Sequence, residues 1–194
     1  MLKFSHGLPE LNSIQVSSPK PLCASSIETM MAVSSGVGIC LALLTILCLG
    51  ISTRVFEAMG QFDLVGLLGS LAGLMILHEC VHLMAYQSIK NGIQGTMGIS
   101  AKTGLYAIYP KPLTKLRFII AGMAPFALLS IVPLFLVLTG ILNAEWMLPL
   151  AFVNFIGAGA DLFFVGLALL YVPKNALIQS KGVTYYWGTP LKQP

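Results

Sequence analysis

Apolar residues in this chain come in long unbroken runs, not in the short alternations of a half-buried strand or an amphipathic helix. Four runs, residues 32–53, 64–88, 118–142 and 146–172, reach the roughly 20 residues that a helix needs to cross the hydrocarbon core of a bilayer. They predict an all-α integral membrane bundle of four transmembrane helices forming one domain over residues 32–172. Pro125 and Pro133 predict a kink in the third helix, because neither supplies the amide that bonds one turn back. Residues 1–31 are rich in Ser and Pro and have no basic patch leading into an apolar stretch, so they read as a flexible tail and not as a cleavable signal. Residues 173–194 read as a second tail, and its Tyr185, Tyr186 and Trp187, with Tyr171 before them, suit anchoring at a membrane interface.

Between the second and third runs lies the one long loop, residues 89–117, punctuated by Gly92, Gly95, Gly98 and Gly104. Residues 94–100 and 105–109 could pair as a short β-hairpin across 101–104, stopped by Pro110 and Pro112; the alternative is a flexible glycine-rich linker.

Composition excludes a soluble domain. The 194 residues are 56% hydrophobic and 9% charged, against roughly 25% charged in an ordinary soluble domain. A net charge of +4, from basic residues neither clustered nor interleaved with stacking aromatics, argues against a nucleic-acid partner. Cys23, Cys40, Cys48 and Cys80 show no paired spacing, so no disulfide framework is expected.

Charge placement orients the bundle. Lys3 and Lys20 precede the first run, Lys90, Lys102, Lys111, Lys115 and Arg117 lie between the second and third, and Lys174, Lys181 and Lys192 follow the fourth. Arg54 alone lies on the other side. By the positive-inside rule both tails are cytoplasmic, which predicts a multi-pass protein of the cell membrane.

Within the runs almost nothing ionises except His78, Glu79 and His82 in the second and Asp161 in the fourth. An acid at the centre of a membrane helix costs roughly 2.5–3.5 kcal/mol on insertion scales, so such a group is a functional candidate by default. His78 and His82 form the sequence HECVH and, four apart on a helix, project from one face to share an ion. Glu79, about a third of a turn around, can reach a water on that ion without being a ligand, the position of a general base. Catalytic zinc takes a third protein ligand and keeps one place open, and Asp161 is the remaining intramembrane candidate. Depth agrees: His82 and His78 lie roughly 9–15 Å from the cytoplasmic end of their run, and Asp161 roughly 16 Å from the same side. Zn²⁺ would also balance the two acids.

Asn154 lies two turns before Asp161 on a similar face, where its amide would either orient a substrate carbonyl or developing oxyanion, as a catalytic group, or make a helix–helix hydrogen bond. Gly66, Gly69 and Gly73 in the second run, and Gly157 and Gly159 in the fourth, predict close approach of those helices. Cys80 points elsewhere on its helix and reads as packing.

With HECVH at 78–82, Asn154 followed by a glycine-rich step to Asp161, and YAIYPKPLTKLRF at 106–118, the chain resembles the site-2 protease type of intramembrane zinc metalloprotease. It is more closely similar to the bacterial and archaeal zincin membrane peptidases related to that type. The resemblance spans most of the four-helix core and implies ligands His78, His82 and Asp161 with Glu79 as base. Site-2 proteases usually carry a Pro between the Asn and the Asp and a Gly after the Asp; here the intervening residues are FIGAGA and Leu162 follows.

The expected function is therefore zinc-dependent hydrolysis of peptide bonds in a membrane protein or membrane-bound peptide, within or at the edge of the bilayer. Two other classes fit less of the pattern. A non-catalytic membrane adaptor would hold the same metal structurally, alone or with a regulatory membrane partner. A metal or proton transporter would need a polar path, which the first and third runs do not offer.

Overall fold

The fold comes from a computed structural model, which describes residues 2–6, 14–61, 63–86, 95–100, 104–182 and 184–191. Helix α1 spans Ile27–Leu49, begins where the Ser26 side chain accepts from the Thr29 amide, and ends at Gly50, whose φ of 61° only glycine adopts without strain. A short helix α2, Ser52–Met59, leads to α3, Leu64–Ala85, capped by Asp63 accepting from the Gly66 amide at 2.6 Å. Helix α4, Lys115–Phe126, passes through a π-helical turn at Ala127–Ile131 into α5, Val132–Leu138. Helices α6, Ala144–Gly157, and α7, Gly159–Tyr171, are bent by 46° at Ala158.

Three of these units, Glu28–Leu49, Leu64–Ala85 and Lys115–Leu138, are long and apolar enough to cross a membrane, and the bent pair is a fourth if it counts as one span. Large apolar side chains such as Leu47, Val65, Phe135 and Leu170 stand exposed around them, which water would not favour and lipid would.

The all-helical expectation needs correction, because two small sheets accompany the helices. Strand β1 (Leu2–His6) runs parallel to β3 (Gly95–Ser100), which pairs antiparallel with β4 (Gly104–Ile108) in the order β1-β3-β4. The second sheet, β2-β7-β6-β5, joins β2 (Val16–Pro21), β7 (Thr184–Pro190), β6 (Leu177–Lys181) and β5 (Leu113–Thr114), antiparallel throughout. The expected hairpin is β3 with β4, Ile99 opposite Leu105 and Met97 opposite Ala107. Residues 101–103 of its turn, and Lys90, Lys102 and Lys192 of the charge count, lie outside the described residues. Strands β1 and β2 come from the segment read as a flexible tail, and β6 and β7 from the one read as the second tail. The partners of β1 and β2 are distant in sequence, so no local pattern announces those two, whereas β6 and β7 pair with each other as a local hairpin.

Glycine brings together a different pair of helices from the one expected. Gly69 and Gly73 of α3 face nothing within 4 Å, and Gly66 meets only its own cap. A Cβ on Gly159 would instead strike the Ser34 carbonyl of α1, and one on Gly38 would strike the backbone of Ile156. The closest crossing is thus α1 over the α6–α7 bend. Two apolar clusters complete the interior: one around Leu83, Phe118, Ala121 and Ile178, the other around Leu134, Leu148, Phe152 and Phe155.

Candidate metal centre

Helix α3 presents His78 and His82 one turn apart, their rings edge to face at 4.9 Å, towards the first turn of α7, where Asp161 sits. One ligand atom from each of these three residues lies within 4.8 Å of the others. Asp161 Oδ2 is 3.0 Å from His78 Nε2, and Oδ1 is 3.2 Å from His82 Nε2. Both histidines are buried, and the Asp161 side chain keeps 20% of its exposure.

The far nitrogen of each ring is held as well. His82 Nδ1 lies 2.9 Å from the carbonyl oxygen of Ala121 on α4, which can only accept, so the nitrogen donates. Pro125 explains why that oxygen is available: the residue four positions on has no amide to give it. His78 Nδ1 meets Asn154 Oδ1 at 2.8 Å. The Asn154 amide nitrogen donates in turn to the Pro125 carbonyl at 3.1 Å and to Ser130 Oγ at 2.8 Å, and Ser130 passes its own proton to the Ala151 carbonyl at 3.0 Å. The Asn154 oxygen is thereby an acceptor, and His78 Nδ1 is a donor.

In the neutral rings these bonds place the proton on Nδ1 and leave the Nε2 lone pair facing Asp161, where a proton or a metal ion must lie between nitrogen and carboxylate. Two lone pairs aimed at carboxylate oxygens repel unless a positive charge lies between them. A divalent ion fits there: bonds of about 2.0–2.1 Å at tetrahedral angles put neighbouring ligand atoms roughly 3.3 Å apart, close to the spacings seen. Two imidazoles and a carboxylate are also a donor set that zinc takes while keeping a fourth place open.

In this structure Asn154 makes hydrogen bonds between helices. It is 2% exposed, and both its amide protons are spent on Pro125 and Ser130. Glu79 stands outside the three-residue cluster. It is half-buried, lies beside the Ala107 backbone of β4, and lines a cavity of about 250 Å³ together with His78, Asn154 and Leu105. Cys80 faces away, into an apolar cavity with Phe4, Ile76 and Met97.

Sequence reasoning missed several contributors. Ser130, fully buried, orients Asn154. Tyr86 stacks on His82 with ring centres 5.9 Å apart, and Tyr109 stacks on Tyr86. Tyr185, expected as an interface anchor, instead packs edge-on against Phe118 and Phe164 and lines a second cavity together with Asp161. Burial pushes its phenol above the ordinary tyrosine range, so it keeps its proton. Only Pro125, a proline inside an apolar run, left a visible trace, and it signalled a kink more readily than a freed carbonyl.

No curated protein and no solved structure matches this chain. A family model described as "Putative zincin peptidase" matches residues 71–177, more than half of the chain, from the turn of α3 before His78 to the start of β6. With His78, Glu79, His82, Asn154 and Asp161 all inside that stretch, the chain belongs to this zincin peptidase family.

Proposed function

We propose that this protein is a zinc-dependent endopeptidase of the site-2 protease type, embedded in the cell membrane with both termini cytoplasmic, that hydrolyses peptide bonds of membrane proteins. The observation that carries this reading is the pair of imidazoles, each held through Nδ1, facing Asp161 inside helices apolar enough to span a bilayer. Ten basic residues on one side of the spans against Arg54 on the other support the orientation.

His78, His82 and Asp161 hold the ion, with Asn154 and the Ala121 carbonyl keeping the two rings in place. Zinc, when bound, supplies a Lewis acid that lowers the pKa of a water molecule to about 7. Glu79 takes the proton of the attacking water as its oxygen bonds to the peptide carbon, and delivers that proton to the amide nitrogen as the C–N bond breaks. The Ala107 backbone steadies its carboxylate for both transfers.

Strand β4 supports a mode of substrate binding. It is the outer strand of its sheet, and its residues border both site cavities, Leu105 one and Tyr106 to Ile108 the other. An unwound substrate segment adds there as a further strand, its backbone bonding to β4. Unchanged cleavage after shortening residues 94–109 would remove this element.

The test of the whole reading is Glu79→Gln in protein reconstituted into vesicles with a transmembrane substrate. Loss of cleavage by roughly 10²–10⁴-fold with metal retained is expected. Full cleavage by the variant overturns the mechanism. Bound zinc with no cleavage of any membrane substrate, and biological activity that survives Glu79→Gln, identifies a non-catalytic adaptor instead.

A further inference from the structure

The second cavity beside the centre, about 370 Å³, opens on the Asp161 side of the site between α1, β4 and the α6–α7 bend. Met30, Ile108, Ile156 and Phe164 form part of its wall, together with Asp161 and Ala107. Gly157 borders both this cavity and the one that holds Glu79. A peptide lying along β4 therefore passes from one to the other across the centre. Side chains of an extended peptide alternate in direction, so one next to the reacting bond is turned into this space.

We propose that this cavity is the subsite for a large apolar side chain, of leucine, methionine or phenylalanine size, directly beside the scissile bond. The inference rests on the peptidase reading above and adds what the site selects.

Size and chemistry both point to that occupant. An apolar cavity of about 150 Å³ already accepts a benzene molecule, so this one has room for a branched or aromatic side chain. Among the described residues no Lys or Arg lines it, the Ser34 hydroxyl donates to the Met31 carbonyl at 3.1 Å, the buried Tyr185 phenol keeps its proton, and Asp161, its one carboxylate, faces the two histidines. A charged side chain entering here gives up water and gains no partner. A small one leaves the apolar wall unfilled, and each missing methylene in such a pocket lowers kcat/KM by roughly 10- to 200-fold.

Ala160 lines the cavity from α7 with an exposed side chain that can be enlarged, and Ile156 lines it from α6 with one that can be cut back. The experiment uses the full chain in vesicles and a set of otherwise identical transmembrane peptides carrying Ala, Leu, Phe or Trp at each position flanking the cleaved bond. Wild type, Glu79→Gln, Ala160→Phe and Ile156→Ala are compared by the ratio of kcat/KM between peptides, a quantity that a general loss of folded protein does not move. Wild type should favour Leu or Phe over Ala by at least ~10-fold at one flanking position. Ala160→Phe should bring that ratio down by about the same factor, and Ile156→Ala should shift preference towards Trp. Where Ala160→Phe does not fold, Ile156→Ala decides. Wild-type cleavage that ignores side-chain size, or ratios that neither variant alters, overturns the subsite while leaving the peptidase reading intact. No cleavage by wild type, or equal cleavage by Glu79→Gln, overturns the peptidase reading itself.

Discussion

The ring of His82 is anchored to the backbone carbonyl of Ala121, at 2.9 Å, and Pro125 makes that anchor available by withholding the amide that would otherwise occupy it. A proline is thereby converted from a helix irregularity into a means of fixing an imidazole.

Replacing Pro125 by Ala returns a competing amide to the Ala121 carbonyl. The expected outcome is a metal affinity weaker by about 10- to 100-fold, the usual cost of losing a hydrogen-bond partner of a metal-bound histidine. Competition with a fluorescent zinc chelator measures it. Pro133→Ala, beyond the π-helical turn, serves as the comparison and should leave affinity unchanged.

Asn154→Ala leaves the buried His78 Nδ1 without its acceptor, at about 1–3 kcal/mol of stability for a buried group left unsatisfied. Because the amide protons face Pro125 and Ser130, its effect on turnover should come through the metal. Saturating zinc should restore most of kcat while the apparent zinc affinity stays low. A kcat that remains depressed by 10²-fold or more at saturating zinc would instead mark Asn154 as an oxyanion donor.

Asp161→Ala takes away one of the three proposed ligands. Purified wild type should carry close to one zinc per chain and the variant far less, by elemental analysis. Dialysis against a chelator should abolish cleavage by wild type, and adding zinc back should restore it. Equal zinc in wild type and variant would remove Asp161 from the ligand set.

Gly159→Val places a branched side chain against the Ser34 carbonyl. Overpacking of this kind costs about 1–3 kcal/mol, so the thermal midpoint should fall. Gly73→Val, at a position with open space around it, should change stability little.

The meeting of His78, His82 and Asp161 was legible in the sequence because membrane helices are nearly free of ionisable groups, so the few present stand out and their depths can be compared. The pairing of β3 with β4 was legible because it is local, with glycines around a tight connection. What holds the centre was not. The Ala121 and Pro125 carbonyls have no signature of their own, and Ser130 looks like any small polar residue in an apolar run. The helix pair that glycine brings together was misjudged for a related reason: Gly69 and Gly73 sit in a promising row, but α3 turns that row away from its neighbours. The local β6–β7 hairpin escaped notice because Tyr185, Tyr186 and Trp187 also suit an interface anchor, and β1 and β2 did because their partners are distant, β2 pairing with β7 across most of the chain.

That last feature bears on how the molecule is made. Residues 16–21 pair with residues 184–190, so the second sheet cannot close until residue 190 has left the ribosome. The helices precede it in the chain, and α7 delivers Asp161 before the β6–β7 hairpin arrives to cover it. Sealing of the chamber thus follows assembly of the three-residue cluster, and a chain interrupted before β7 would carry His78, His82 and Asp161 without the wall that Tyr185 provides.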